Sequence, residues 1–151
     1  KDIDVTIPAG IEEGTRLRVR GEGAAPERGG TPGDLYLIIH VKEHKIFKRK
    51  ENNILLSMPI SFTQAVLGDE VEVPVLNGKA TLTIPPYTQN STIFRMRGKG
   101  LHDYRGREGD QLIKVTIKVP EKLTKKEQEL VEELAELEKE KPTSIFQKFF
   151  R

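Results

Sequence analysis

The sequence predicts a mainly β protein in which two similar β units are followed by a C-terminal α-helix. Three observations support this fold class. Segments of the first half of the chain recur in the second half at nearly fixed spacing. Apolar and polar residues alternate along several of these segments, as they do in half-buried strands. After Pro120 the composition changes to the Glu- and Lys-rich pattern of an amphipathic helix.

The internal repeat is the most informative feature of the chain. The matched segments are Val5-Thr6-Ile7-Pro8 with Leu82-Thr83-Ile84-Pro85, 15–23 with 92–100, and Gly33-Asp34 with Gly109-Asp110. The first two pairs lie 77 residues apart and the third pair 76, which places one deletion in a glycine-rich loop. Three matches in the same order are not expected by chance, so we predict that each copy folds as strand, turn, strand, Gly-rich loop and strand.

The first copy shows each of these elements. Residues 3–7 alternate apolar and polar and are predicted as a strand that Pro8 ends, because proline cannot donate to a ladder. A second strand follows over 15–20, and the glycines of 21–23 supply the backbone freedom of a sharp turn. The third strand, 35–41, carries apolar residues on both faces, so both faces need cover.

The second copy is preceded by a stretch that the first copy lacks. It is predicted as a strand over 54–60, a short helical piece over 61–68 with Ser61 as N-cap, a strand over 70–75 and an Asn77-Gly78 hairpin turn. We therefore expect the first β unit to be incomplete at its N-terminus, with an open edge and an uncovered apolar face. Because the sequence opens with Lys1 in what reads as a strand, we interpret the chain as a fragment.

The C-terminal segment is predicted as a helix. Thr124 and Glu127 have the spacing of a capping box, and Pro142 is expected to stop the helix. Its apolar residues recur at helical spacing: Leu130, Val131, Leu134 and Leu137. Segment 121–141 contains eight Glu and five Lys, and a Phe-rich tail follows over 142–151.

Composition excludes several classes of function. With no cysteine, the chain has no disulfides, thiolate zinc site, Fe–S cluster or cysteine nucleophile. No run of about 18 apolar residues occurs, so no membrane-spanning helix is expected. The formal net charge of +2 does not by itself indicate a nucleic-acid-binding protein.

The candidate sites for chemistry are weak. His40 and His44 fall at a strand end and a junction, so we favour solvated or packed histidines over a metal pair. The two Gly-x-Gly loops lack the following helix of a phosphate site and are interpreted as turns. One alternative stays open, namely that arginine-lined strand faces bind nucleic acid or another polyanion. These arginines are Arg16, Arg18, Arg20, Arg95 and Arg97, with Arg105 and Arg107 nearby.

Several motifs together resemble the C-terminal, client-binding region of DnaJ-type heat-shock co-chaperones. They are Ile7-Pro8-Ala9-Gly10-Ile11 with Gly14, Arg18 and Gly21-Glu22-Gly23; Pro32-Gly33-Asp34-Leu35-Tyr36; His44-x-x-Phe47-x-Arg49; Ala65-Val66-Leu67-Gly68; Val73-Pro74-x-Leu76-x-Gly78; Phe94-Arg95-Met96-Arg97-Gly98-Lys99-Gly100; and Gly109-Asp110. They cover nearly all of 1–141 in the family's order. The resemblance implies two β-sandwich-like domains in tandem, here 1–43 and 44–120, and a dimerisation helix over 121–141 that uses the four residues of its apolar stripe.

The resemblance also implies a non-enzymatic, cytoplasmic chaperone function. Unfolded polypeptides would bind an apolar groove that includes Ile3, Val5 and Leu37, and would be delivered to a DnaK-type ATPase. Family members stimulate that ATPase through a J domain and bind zinc through a Cys-rich region. Neither signature occurs in this sequence, so no zinc, metal or other cofactor is expected for this chain. The sequence departs from the family pattern at two places, both at an interdomain junction. Lys45 replaces the family's Pro, and Glu51-Asn52-Asn53-Ile54 replaces a glycine-led turn.

Overall fold

The computed structural model describes residues 2–26 and 29–141. The chain divides into two compact units, Lys1–Lys118 and Val119–Arg151. Every β-strand of the described residues lies in the larger unit, and the smaller unit contains the C-terminal helix. The predicted mainly β fold with several sheets and a C-terminal helix is therefore confirmed, whereas the boundaries between the two β units stay predictions.

The first β unit contributes a two-stranded antiparallel sheet. Strands β1 (Arg16–Val19) and β2 (Leu35–Ile38) pair so that Leu17 lies opposite Leu37 and Val19 opposite Leu35. Described residues of the predicted range 1–43 are half-buried or exposed, and none of them is fully buried. The first β unit therefore has an apolar face but no enclosed core of its own.

The second β unit is a two-layer structure. Strands β3 (Phe47–Lys50), β4 (Asn53–Ile60), β7 (Ile93–Met96) and β8 (Gln111–Ile117) form one sheet in the order β3-β4-β8-β7, with β4 and β8 parallel. Strands β5 (Asp69–Val75) and β6 (Gly78–Ile84) form an antiparallel hairpin. Residues from both layers share one buried core: Leu56, Ile60, Ala65, Val73, Leu82, Ile84, Ile113 and Val115. This is the packing of a small β-sandwich.

Both predicted helix caps are confirmed. Helix α1 (Phe62–Leu67) begins after Ser61, whose hydroxyl accepts the Gln64 N–H at 3.1 Å while the Gln64 side chain accepts the Ser61 N–H. Helix α2 (Lys125–Glu140) has the same capping box between Thr124 and Glu127. In the part of the chain that is described, no helix is long and apolar enough to cross a membrane. Pro142 and the tail 142–151 lie outside the described residues.

Two details of the predicted strands are wrong. Residues 3–7 belong to no strand. By the repeat they correspond to 80–84 of β6, which pairs with β5, and no strand among residues 2–26 and 29–43 takes the place of β5 beside them. The hairpin turn is also displaced, because Val75 pairs with Gly78 and the turn residues are Leu76 and Asn77 rather than Asn77-Gly78.

Candidate binding surface on the first β unit

The strongest candidate site is the apolar face of the β1–β2 sheet, which we call the open face. It consists of Leu17, Val19, Leu35 and Leu37, all half-buried. Paired residues of antiparallel strands project to the same side, so Leu17 and Leu37 are direct cross-strand neighbours. Tyr36 and Ile38 project to the opposite side and are more than half exposed.

The repeat shows what normally occupies such a face. Leu37 corresponds to Ile113 in β8, which is 0% exposed at the centre of the second unit's core. There, Ile113 packs in one cluster with Val73 and Leu82 of the β5–β6 hairpin. The open face is therefore the counterpart of a sandwich interior, and no hairpin covers it among residues 2–26 and 29–41.

Ile3 and Val5, the other two predicted groove residues, lie in the segment before β1. Both are half-buried, and they alternate with exposed Asp2, Asp4 and Thr6. No β-ladder joins either residue to Leu37 in the described chain. By the repeat, however, Val5 corresponds to Leu82, which shares the core with the Ile113 counterpart of Leu37. The repeat thus relates Val5 to Leu37, although backbone pairing does not.

The turn that connects β1 to the Gly-rich loop is built in the same way in both units. Asp34 accepts the Gly21 N–H at 3.1 Å and pairs with the Arg18 Nε at 3.3 Å. The second unit repeats this arrangement, with Asp110 accepting the Gly98 N–H at 2.9 Å and pairing with Arg95 at 3.7 Å. Arg18 and Arg95 thus lie in equivalent positions, as predicted, and each has a carboxylate partner that neutralises its charge.

The loop before β1 is fixed to the second β unit by Arg49. Its Nη1 and Nη2 donate to the carbonyl oxygens of Ile11 and Gly10 at 2.6 and 2.7 Å, and its Nε donates to the Glu51 carbonyl at 2.7 Å. Gly10 has a φ of 74°, and a Cβ there would lie 2.3 Å from the His102 carbonyl oxygen. This position therefore requires glycine on both conformational and steric grounds.

His40 and His102 each lie beside a carboxylate. The His40 ring lies 2.8 Å from the Glu13 carboxylate, which also accepts the Val41 N–H. The hydrogen bond from Val41, together with the contact to His40, holds the pKa of Glu13 below its usual range. His102 pairs with Glu108 at 2.8 Å. Within the described ranges, no three His, Asp or Glu side chains come together as a metal site.

Sequence reasoning missed one further organising residue, Asp103. Burial raises its pKa, but hydrogen bonds from Arg107, Asn52 and the Arg105 N–H outweigh that effect and hold the pKa well below the usual range. Its carboxylate accepts the Arg107 Nε at 2.7 Å and the Asn52 amide at 3.2 Å. The partner Asn52 lies 51 positions away, so no local pattern indicates this contact.

The comparisons with known proteins agree with this architecture. A model of the family described as "DnaJ C terminal domain" matches residues 1–120. The "Chaperone protein DnaJ" of Brevibacillus choshinensis is 49% identical over 143 residues, which cover 94% of this chain and 38% of that protein. The protein of the same name from Halalkalibacterium halodurans is 45% identical over 151 residues, 99% of this chain and 41% of that protein. The chain thus spans about two fifths of the length of these relatives. It belongs to the DnaJ C-terminal domain family, as the C-terminal region of a DnaJ-type chaperone.

Proposed function

We propose that the chain binds unfolded polypeptide segments on the open face, without catalysing a reaction. The observation that carries this proposal is that Leu37 and Ile113 occupy corresponding positions of the internal repeat. A side chain that the second unit buries completely is left half-buried in the first. An extended client segment would supply the apolar side chains that the β5–β6 hairpin supplies in the second unit.

The backbone supports the same mode of binding. In the described chain β1 and β2 pair only with each other, so the outer edges of this sheet have unpaired N–H and C=O groups. A client strand added there would gain backbone hydrogen bonds that do not depend on its sequence. Ile3 and Val5, which the family resemblance assigns to the same groove, would contribute further apolar contacts to the client. Broad client specificity follows, because apolar contacts discriminate weakly among side chains.

The C-terminal helix is proposed to form a homodimer. Leu130, Val131, Leu134 and Leu137 on α2 are 39–57% exposed. A short amphipathic helix gains little stability in water unless its apolar stripe is covered, and a second copy carries the same stripe. In the full-length protein we propose delivery of clients to a DnaK-type ATPase through a J domain, in the cytoplasm, with no cofactor bound by this chain.

The alternative function is polyanion binding by the arginine-lined faces. The carboxylate partners of Arg18 and Arg95 weaken it, because two of the five arginines on those faces are already neutralised. The two functions also differ in salt dependence. Phosphate binding weakens steeply as salt rises, whereas apolar capture changes little.

The test compares Leu37→Ser with its matched control in the other unit, Ile113→Ser. Losing the Leu37 contact removes about 1–2 kcal/mol of client burial, so the Kd for a fluorescent unfolded peptide should rise about 5- to 30-fold. Ile113→Ser places a hydroxyl in a closed core and should destabilise folding by about 3–5 kcal/mol. Anisotropy titrations and thermal melts of both variants separate the two effects. A Leu37→Ser protein that melts far lower yet binds peptide normally would refute the proposal.

A further inference from the structure

A cavity of about 490 Å³ lies between the two β units, inside the larger compact unit. One wall comes from the segment before and within β1, namely Pro8, Gly10, Ile11, Glu12, Thr15 and Leu17. The other wall is the loop that Asp103 organises, which we call the arginine loop: Asp103, Tyr104, Arg105 and Arg107. The first wall is mostly apolar, whereas the second is charged.

The cavity and the open face share one residue, Leu17. Leu17 lines the cavity and lies directly opposite Leu37 in the β1–β2 register. A compact volume of this size is about 10 Å across, a distance that an extended chain covers in about three residues. A polypeptide on the open face that continues past Leu17 therefore reaches the arginine loop within a few residues.

One of the two arginines that line the cavity has no acidic partner in the described part of the chain. Arg107 is paired with Asp103, whose side chain is only 6% exposed, and the Glu12 carboxylate lies 4.0 Å from Arg49. Arg105 has no acidic group within ion-pair distance among residues 2–26 and 29–141. Its guanidinium lies 5.3 Å from the centre of the Tyr104 ring, and Tyr104 is 72% exposed.

We infer that Arg105 gives the chain a preference among clients. It would form an ion pair with an acidic client side chain about three residues from the client's apolar anchor, which is the apolar side chain bound on the open face. The inference rests on the proposed function, because it requires a client on the open face. It adds a selectivity that the open face alone does not provide. Segments with an aspartate or glutamate beside their apolar anchor are favoured over segments with a lysine there.

The experiment uses two fluorescent peptides that are identical except at two positions. Each has a central leucine, and the residues three positions away on both sides are either aspartate or lysine, so the direction of binding does not matter. Affinities are measured for the whole chain and for Arg105→Glu, Arg105→Gln, Leu37→Ser and the control Arg97→Glu. Arg97 is exposed on the same β unit and does not line the cavity.

The unchanged chain and Arg97→Glu should bind the aspartate peptide about two- to five-fold more tightly, which is the range of an exposed ion pair. Arg105→Gln should abolish this preference and Arg105→Glu should reverse it, and added salt should reduce it in the unchanged chain. Since Gln only removes a charge from an exposed loop, it remains informative if the Glu variant misfolds.

The outcomes separate this inference from the proposed function. If Leu37→Ser weakens both peptides but the unchanged chain shows no preference, or Arg105→Gln retains it, the role of Arg105 is refuted while the open face remains the site. If Leu37→Ser affects neither peptide, the proposed function itself fails. If Arg105→Glu instead abolishes self-association without altering peptide preference, the cavity receives a second copy of the chain, and the inference is overturned.

Discussion

Arg49 should determine whether the two β units behave as one cooperative body. Its guanidinium makes three hydrogen bonds of 2.6–2.7 Å to backbone carbonyls, two of them on the loop at Gly10 and Ile11. A hydrogen bond to a charged donor contributes about 1.5–3 kcal/mol. Because the Arg49 side chain is 26% exposed, water can rehydrate the carbonyls when it is removed. We therefore expect Arg49→Ala to lower the free energy of unfolding by about 2–3 kcal/mol, less than the sum of three bonds.

The assay is urea denaturation combined with hydrogen exchange. The denaturation midpoint should fall, and amides of the β1–β2 sheet should lose protection before those of β4 and β8, because the first unit has no enclosed core. Arg49→Lys keeps the charge but not the forked geometry, so it should be intermediate. Arg16→Ala, which removes an exposed arginine, should change stability by less than about 0.5 kcal/mol. A loss below that value in Arg49→Ala, with uniform protection, would contradict this role.

Three further predictions concern other parts of the chain. Glu51 has a φ of 56°, so Glu51→Gly should raise the free energy of unfolding by about 0.5–1 kcal/mol in urea titrations, whereas Glu70→Gly in a strand should lower it. Because folding lowers the pKa of Asp103, this carboxylate stabilises the fold above its unfolded pKa of about 4, and the stabilisation is lost as the pH falls below that value. In acid titration, the free energy of unfolding of Asp103→Asn should therefore fall less steeply than that of the unchanged chain. Equal slopes would contradict the hydrogen-bonded role of this carboxylate. Leu134→Glu should convert the dimer to a monomer in sedimentation at micromolar concentration, whereas Glu133→Gln should not. If the unchanged chain is itself monomeric, the proposed dimer is wrong.

Local sequence patterns predicted the elements whose stabilising contacts are themselves local. Ser61 and Thr124 cap their helices through residues three positions on, so the cap and its partner can be read together. The repeat also made one longer-range contact predictable, because the pair Arg18–Asp34 and the pair Arg95–Asp110 form the same turn in the two units.

The errors arise where a distant partner decides the structure. Residues 3–7 have the alternation of a strand, but a strand also needs a hydrogen-bonded neighbour, and alternation does not specify one. The β5–β6 register was missed for a related reason. The turn is displaced by one residue, which shifts the pairing register by two residues. A shift of two leaves every side chain on the same face, so the hydrophobic pattern fits both registers. Asp103 and its partner Asn52 lie 51 positions apart, so no local pattern indicates their contact.

The β5–β6 hairpin covers Ile113, whereas its counterpart Leu37 is half-buried, and this difference has a thermodynamic consequence. If a client takes the place of that hairpin, binding resembles the last step of folding a β-sandwich, and it should carry the heat-capacity signature of folding. Removal of apolar surface from water makes the heat capacity of binding negative, and this driving force weakens on cooling. Calorimetric titrations at several temperatures should therefore show a binding enthalpy that becomes more negative with warming. The affinity of such a surface for its ligands is lowest at low temperature and is retained as the temperature rises.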